Sequence, residues 1–82
     1  MEEKRKMAYE EFEKHNYNSA LELFNQIIMH SPIHIEDMNA LGVTYYNSNN
    51  FEGALTIFTE IFKVMPEFSP ILPNLARTKW KL

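Results

Sequence analysis

Residues 7–32 read MAYEEFEKHNYNSALELFNQIIMHSP, and residues 41–66 read LGVTYYNSNNFEGALTIFTEIFKVMP. When Met7 is set against Leu41, the two stretches align without a gap. The identical pairs are Asn16 and Asn50, Ala20 and Ala54, Leu21 and Leu55, Phe24 and Phe58, Ile27 and Ile61, and Pro32 and Pro66. A third, partial copy continues the register at residues 75–80, LARTKW. The period, about 34 residues, indicates an array of helical hairpins.

Capping residues and prolines predict where the helices begin and end. We expect five helices, near residues 2–14, 17–30, 35–48, 51–64 and 70–81. Asn16 and Asn50 stand where a side-chain oxygen would cap the second and fourth helices. Pro32 and Pro66 should end those helices, because proline cannot continue the hydrogen-bond ladder. A first-turn proline, Pro73, leaves open a later start for the last helix.

The repeated pattern resembles the tetratricopeptide repeat: a large-small pair, an aromatic residue, Ala-x3-Phe and a terminal proline. Met7-Ala8 and Leu41-Gly42 are the large-small pairs. The resemblance implies an all-α fold, a right-handed superhelical stack of antiparallel helix pairs with five helices. It also implies a single domain over residues 1–82, with repeat 1 at about 1–34, repeat 2 at about 35–68 and a capping helix at about 69–82.

Helical spacing also predicts the core. Small residues should lie where helices approach closely, at Ala8, Gly42, Ala76, Ala20 and Ala54. The buried apolar stripe is expected to consist of Met7, Leu41, Leu75, Leu21, Leu55, Phe24, Phe58, Ile27 and Ile61. The first and last helices should keep a polar face. On the last helix we expect an apolar face formed by Leu72, Leu75 and Ala76. The opposite, solvent-exposed polar face should consist of Asn74, Arg77, Thr78 and Lys81.

Composition excludes several classes of function. The chain has 8 Lys+Arg against 11 Asp+Glu, a formal net charge of -3, so nothing indicates a nucleic-acid partner. It contains no cysteine, which excludes disulfides and thiolate chemistry. The charged start, MEEKRK, is unlike a signal peptide or a membrane anchor. We therefore expect no membrane partner and a cytoplasmic location.

The chain offers few candidates for catalysis or metal binding. His30 and His34 have the i,i+4 spacing of helical metal ligands, but Pro32 lies between them, so we expect loop histidines and no metal. The only two glycines, Gly42 and Gly53, do not form a phosphate-binding loop. No nucleophile, base and orienting group stand at credible spacing. We expect neither a cofactor nor enzymatic activity.

The resemblance implies instead that a protein or peptide binds along a concave face lined by the inner helices, the first, third and fifth. The residues expected there are Arg5, Tyr9, Phe12, Asn39, Val43, Tyr46, Asn47, Arg77 and Trp80. Phe12, Tyr46 and Trp80 recur at the repeat period and would form a ladder of rings, although such rings are often partly buried. An apolar ligand with some acidic character would suit this face.

The resemblance also bears on the kind of partner. The family subtype that grips acidic C-terminal tails needs asparagines where this chain has Tyr9 and Ala40, and basic residues where it has Pro70 and Asn74, so that specificity is not expected. The alternative to ligand binding is structural self-assembly, with the aromatic face serving as a homo-oligomer interface.

Overall fold

The computed structural model of the chain describes residues 2–30 and 34–82. Five helices account for most of these residues: α1 (Glu2–Glu13), α2 (Tyr17–His30), α3 (Ile35–Asn47), α4 (Phe51–Val64) and α5 (Ile71–Lys81). The described part of the chain contains no strand. The all-α prediction is therefore confirmed, and every helix boundary lies within one residue of the expected position. The predicted role of Pro32 falls outside the described residues.

The two turns that separate paired helices have the same backbone geometry. His15 and Asn49, which occupy the same position in successive repeats, have φ values of 65° and 69°. In each turn the next residue donates its N–H to the carbonyl five residues back, at 2.9 Å after His15 and 2.8 Å after Asn49. This is the Schellman arrangement, which ends a helix on a left-handed residue. The sequence repeat is therefore also a repeat of local structure.

The capping prediction holds at one of its two positions. The Oδ1 atom of Asn50 accepts a hydrogen bond of 3.0 Å from the backbone N–H of Gly53, as expected of an N-cap. The side chain of Asn16 instead donates to the Glu11 carboxylate at 3.4 Å. The start of α5 is also settled: its first helical residue is Ile71, and Pro70 precedes it.

Each helix packs against the next along the chain, and α3 also contacts α5. One buried cluster joins α1, α2 and α3, and a second joins α4 to α5. The first consists of Ala8, Ala20, Phe24, Ile27, Ala40 and Leu41, and the second of Ala54, Phe58, Ile61 and Ile71. At Gly42 an added Cβ would lie 2.5 Å from the Phe58 ring, so the expected close approach of helices occurs there.

Some expected core positions are wrong. Met7 is 53% exposed, and Ala76 is also exposed. On α5 the residue that anchors the helix is the fully buried Ile71, whereas Leu72 is 61% exposed. The contrast between these two neighbours follows from helix geometry, since adjacent residues point about 100° apart.

The polar face expected on α5 is wrong at two positions, because Asn74 and Thr78 are buried. Both are satisfied by hydrogen bonds: Thr78 Oγ1 donates to the Asn74 carbonyl at 2.7 Å, and Asn74 Nδ2 donates to Asn39 Oδ1 at 2.8 Å. One repeat earlier, Thr44 Oγ1 donates to the Ala40 carbonyl at the same 2.7 Å. Hydroxyls bonded back to their own helix in this way are compatible with burial.

A last property of the helices concerns membranes. Within the described ranges, no helix combines the length and the apolar composition needed to cross a bilayer.

Candidate functional site

The nine residues expected at a binding face all lie on α1, α3 and α5. Arg5, Tyr9 and Phe12 belong to α1; Asn39, Val43, Tyr46 and Asn47 to α3; Arg77 and Trp80 to α5. We call the surface formed by these nine residues the inner-helix surface. The structure divides it into two parts, one between α1 and α3 and one between α3 and α5.

The part between α1 and α3 is organised by a buried carboxylate. Asp37, only 2% exposed, accepts a 2.9 Å hydrogen bond from Nε of Arg5 and a 3.1 Å bond from the Tyr9 hydroxyl. Nη2 of Arg5 lies 2.9 Å from the same carboxylate, and Nη1 lies 2.6 Å from the exposed Glu2. A buried carboxylate of this kind needs a cation and hydrogen-bond donors to offset its desolvation. Arg5 and Tyr9 supply both.

The same network changes the acidity of its members. The hydrogen bond to Asp37 raises the pKa of the Arg5 guanidinium above its ordinary value. Burial, reinforced by the negative charge of Asp37, raises the pKa of the Tyr9 phenol to about 12. Both groups therefore keep their protons at neutral pH, and Tyr9 remains a hydrogen-bond donor.

A cleft of about 670 Å³ opens beside this network. Its lining combines the polar side chains of α1 and α3 with apolar side chains from the connection between α4 and α5. The lining residues are Arg5, Tyr9, His34, Ile35, Glu36, Asp37, Met65 and Phe68. A concave site with apolar walls and a few fixed polar groups is the usual form of a ligand-binding cleft.

The part between α3 and α5 is tighter. The Asn39–Asn74 hydrogen bond ties the two helices together, and Nη1 of Arg77 lies 3.4 Å from Oδ1 of Asn74. A small cavity of about 60 Å³ lies between the helices. Four of the expected residues line it: Val43, Tyr46, Asn47 and Arg77.

The three rings expected to form a ladder have different surroundings. The Phe12 ring packs edge-to-face on Phe24 of α2, with centroids 6.4 Å apart, and the Tyr46 ring packs on Phe51 of α4 at 5.2 Å. Trp80 is 85% exposed. Each of the first two rings therefore packs against the second helix of its own hairpin. As a result, both rings are half-buried. Of the three rings, only Trp80 is largely exposed to solvent.

Sequence reasoning missed the central residue of the cleft, Asp37, and its apolar walls, Met65 and Phe68. The two hydrogen-bond donors to Asp37, Tyr9 and Arg5, stand 28 and 32 residues away in sequence, so no local spacing joins them to it. One signal was present: Asp37 interrupts the most apolar of the inner helices, and an acidic residue there needs a partner when buried. The walls come from an irregular connection, which carries no periodicity.

Metal binding has no geometric support in the described ranges, where no three His, Asp or Glu side chains converge on a common point. No known family model matches the chain, and no curated protein matches it.

Proposed function

We propose that this chain is a non-catalytic protein-interaction module with a tetratricopeptide-repeat architecture. The cleft between α1, α3 and the α4–α5 connection carries the proposal, because it joins a fixed polar network to an open apolar wall. The ligand is a segment of another protein, and it lies along the inner-helix surface.

Three features support the architecture. The Schellman turns at His15 and Asn49 recur at the repeat period, so the two hairpins share one local geometry. Buried Thr44 and Thr78 each donate a hydrogen bond from the side-chain hydroxyl to the backbone carbonyl four residues earlier in the same helix. Hydrogen bonds between α1 and α3 and between α3 and α5 join the first, third and fifth helices in order, as in a stack of repeats.

The charges of the inner-helix surface indicate which kind of peptide segment would bind there. Arg5 is already bound by Asp37 and Glu2, so it offers little attraction to an acidic ligand. At the other end of the surface, α5 carries Arg77, Lys79 and Lys81, and Nζ of Lys81 lies 5.7 Å from the centre of the Phe51 ring. We therefore favour a mainly apolar segment whose acidic residues lie over α5.

Peptide selection with the intact chain tests the proposal. A random peptide library displayed on phage is selected on the immobilised chain, and the enriched peptides are titrated into isotopically labelled protein. We expect amide resonances of α1, α3 and α5 to shift, with the largest changes near Tyr9 and Tyr46. Tyr46→Ala should weaken binding by roughly 2 kcal/mol, the cost of truncating a central aromatic anchor.

Asn18→Ala is the matched control, since Asn18 is an exposed polar residue of α2, away from the inner-helix surface. It should leave affinity unchanged. Shifts confined to α2 and α4, or a selection that enriches no common peptide, would contradict the proposed site.

A further inference from the structure

Two shallow grooves lie outside the inner-helix surface, one on the first helix pair and one on the last. The α1–α2 groove has a volume of about 340 Å³ and is lined by Met7, Glu10, Glu11, Ser19, Glu22 and Leu23. The α4–α5 groove has a volume of about 380 Å³ and is lined by Thr59, Phe62, Leu72, Leu75, Ala76 and Lys79. The two grooves are similar in size, and α3 separates the helix pairs that carry them.

The internal repeat shows that both grooves contain positions which the fold buries elsewhere. Leu41 is only 1% exposed, and the Phe58 ring of α4 covers the neighbouring Gly42. In the next repeat the counterparts of that pair are Leu75, which is half-buried, and Ala76, which is exposed. In the preceding repeat the counterpart of Leu41 is Met7, which is 53% exposed. Each groove therefore contains apolar residues at repeat positions that this fold covers with another helix elsewhere, Met7 in the first and Leu75 and Ala76 in the second.

Both grooves contain large apolar side chains that are exposed to solvent. In the α4–α5 groove Phe62 is 41% exposed and Leu72 is 61% exposed, and in the α1–α2 groove the flexible side chain of Met7 is exposed. Contiguous apolar surface rimmed by charged residues is characteristic of an interaction site. Burying these side chains would release water from both surfaces and stabilise an assembly.

Charge distinguishes the two grooves from each other. The α1–α2 groove carries three glutamates, Glu10, Glu11 and Glu22, of which Glu11 lies 3.8 Å from Lys14. The α4–α5 groove carries one charged residue, Lys79, and all the charged side chains of α5 are basic. An acidic apolar groove and a basic apolar groove on one molecule are complementary to each other, whereas each is self-repulsive.

We propose that copies of this chain associate head to tail, with the α1–α2 groove of one copy against the α4–α5 groove of the next. Lys79 of one copy then lies among Glu10 and Glu22 of its neighbour, and Leu72 and Phe62 cover Met7. Such an interface is heterologous, so an assembly of copies keeps one groove free at each end, and it grows with concentration. Because the charges are at the surface, added salt weakens it.

Charge reversal with mixing tests this pairing. The mass of the intact chain is measured by light scattering at low salt, from micromolar to millimolar concentration. We expect the wild-type mass to rise steadily, and Glu22→Lys or Lys79→Glu alone to weaken association by about tenfold, because like charges then meet. An equimolar mixture of the two variants should recover association, since the introduced lysine at position 22 faces the introduced glutamate at position 79.

Glu67→Lys is the control, because it makes the same change in net charge as Glu22→Lys at an exposed residue outside both grooves. It should associate as the wild type does, and circular dichroism should show the same helix content in every variant. A wild-type chain that stays monomeric at millimolar concentration, a mass that stops at the dimer, or a mixture that fails to recover would each overturn the head-to-tail pairing.

The test is separable from that of the proposed function. The Glu22→Lys variant retains every residue of the inner-helix surface and every basic residue of α5, so its affinity for a selected peptide should equal that of the wild type. Loss of peptide binding in that variant would show that the inner-helix surface and the assembly grooves are not separate. The proposal of a distinct assembly surface would then be wrong.

Discussion

The Phe58 ring of α4 occupies the space that a side chain at Gly42 would need, with its Cε1 atom 2.5 Å from the position of an added Cβ. Gly42 is buried in the middle of α3, where alanine would favour the helix by about 1 kcal/mol. The close approach of α3 and α4 is the reason a glycine is tolerated. The ring can yield only by disturbing its neighbours Ala54 and Ile61.

Gly42→Ala should therefore destabilise the protein by about 1–2 kcal/mol, since overpacking outweighs the gain in helix propensity. Urea unfolding measures the change. The matched control is Gly53→Ala, where the added Cβ would lie 2.9 Å from the amide nitrogen of Asn50, an exposed side chain that can rotate, whereas the Phe58 ring is buried. That variant should remain within about 0.5 kcal/mol of the wild type. Equal stability of the two variants would show that α3 and α4 are not in close contact.

The Arg5–Asp37 pair gives a second prediction. Asp37→Ala removes a buried acceptor from both Arg5 and Tyr9, and we expect a loss of about 2 kcal/mol in the free energy of unfolding. Glu60→Ala breaks the exposed pair with Lys63, whose side chains are 53% and 67% exposed, and should cost less than about 0.5 kcal/mol. Chemical denaturation of the two variants in parallel provides the comparison. Similar losses would contradict the burial of Asp37.

Tyr9 should titrate later than an ordinary tyrosine. Burial raises its folded-state pKa to about 12 from the ordinary value of 10.0, so the folded state favours the protonated phenol. The resulting stabilisation is complete below pH 10 and is lost as pH rises from about 10 to about 12. Phenolate absorbance should show one late transition in the wild type that is missing from Tyr9→Phe. If the transition that Tyr9→Phe removes lies near pH 10, the buried hydrogen bond from Tyr9 to Asp37 is wrong.

The anchoring of α5 gives a prediction for two adjacent residues. Ile71 is fully buried against Ala54, Phe58 and Ile61, so Ile71→Ala should destabilise the chain by about 3 kcal/mol. Leu72→Ala removes a side chain that is 61% exposed, and in dilute solution it should cost less than about 0.5 kcal/mol. Thermal melting distinguishes the two. A larger loss at Leu72 would mean that α5 is rotated about its axis.

The number and bounds of the helices follow from local features of the chain. Asn50 caps α4 with its own side chain, and His15 and Asn49 end helices with backbone geometry confined to a few residues. The internal repeat adds a second instance of most such features. These interactions span little more than one helical turn, so the order of residues along the chain is enough to predict them.

The rotation of each helix and the contents of the site depend on contacts between distant residues. The packing of α5 against α3 and α4 determines whether Ile71 or Leu72 points into the core. It also determines whether Asn74 is exposed to solvent or buried. Asp37 meets Arg5 and Tyr9 only because α1 and α3 pack side by side. Periodicity places a residue on a helix face but not against a partner on another helix. Packing between helices, in which many weak contacts act together, therefore determines which polar pairs are buried and where the cleft forms.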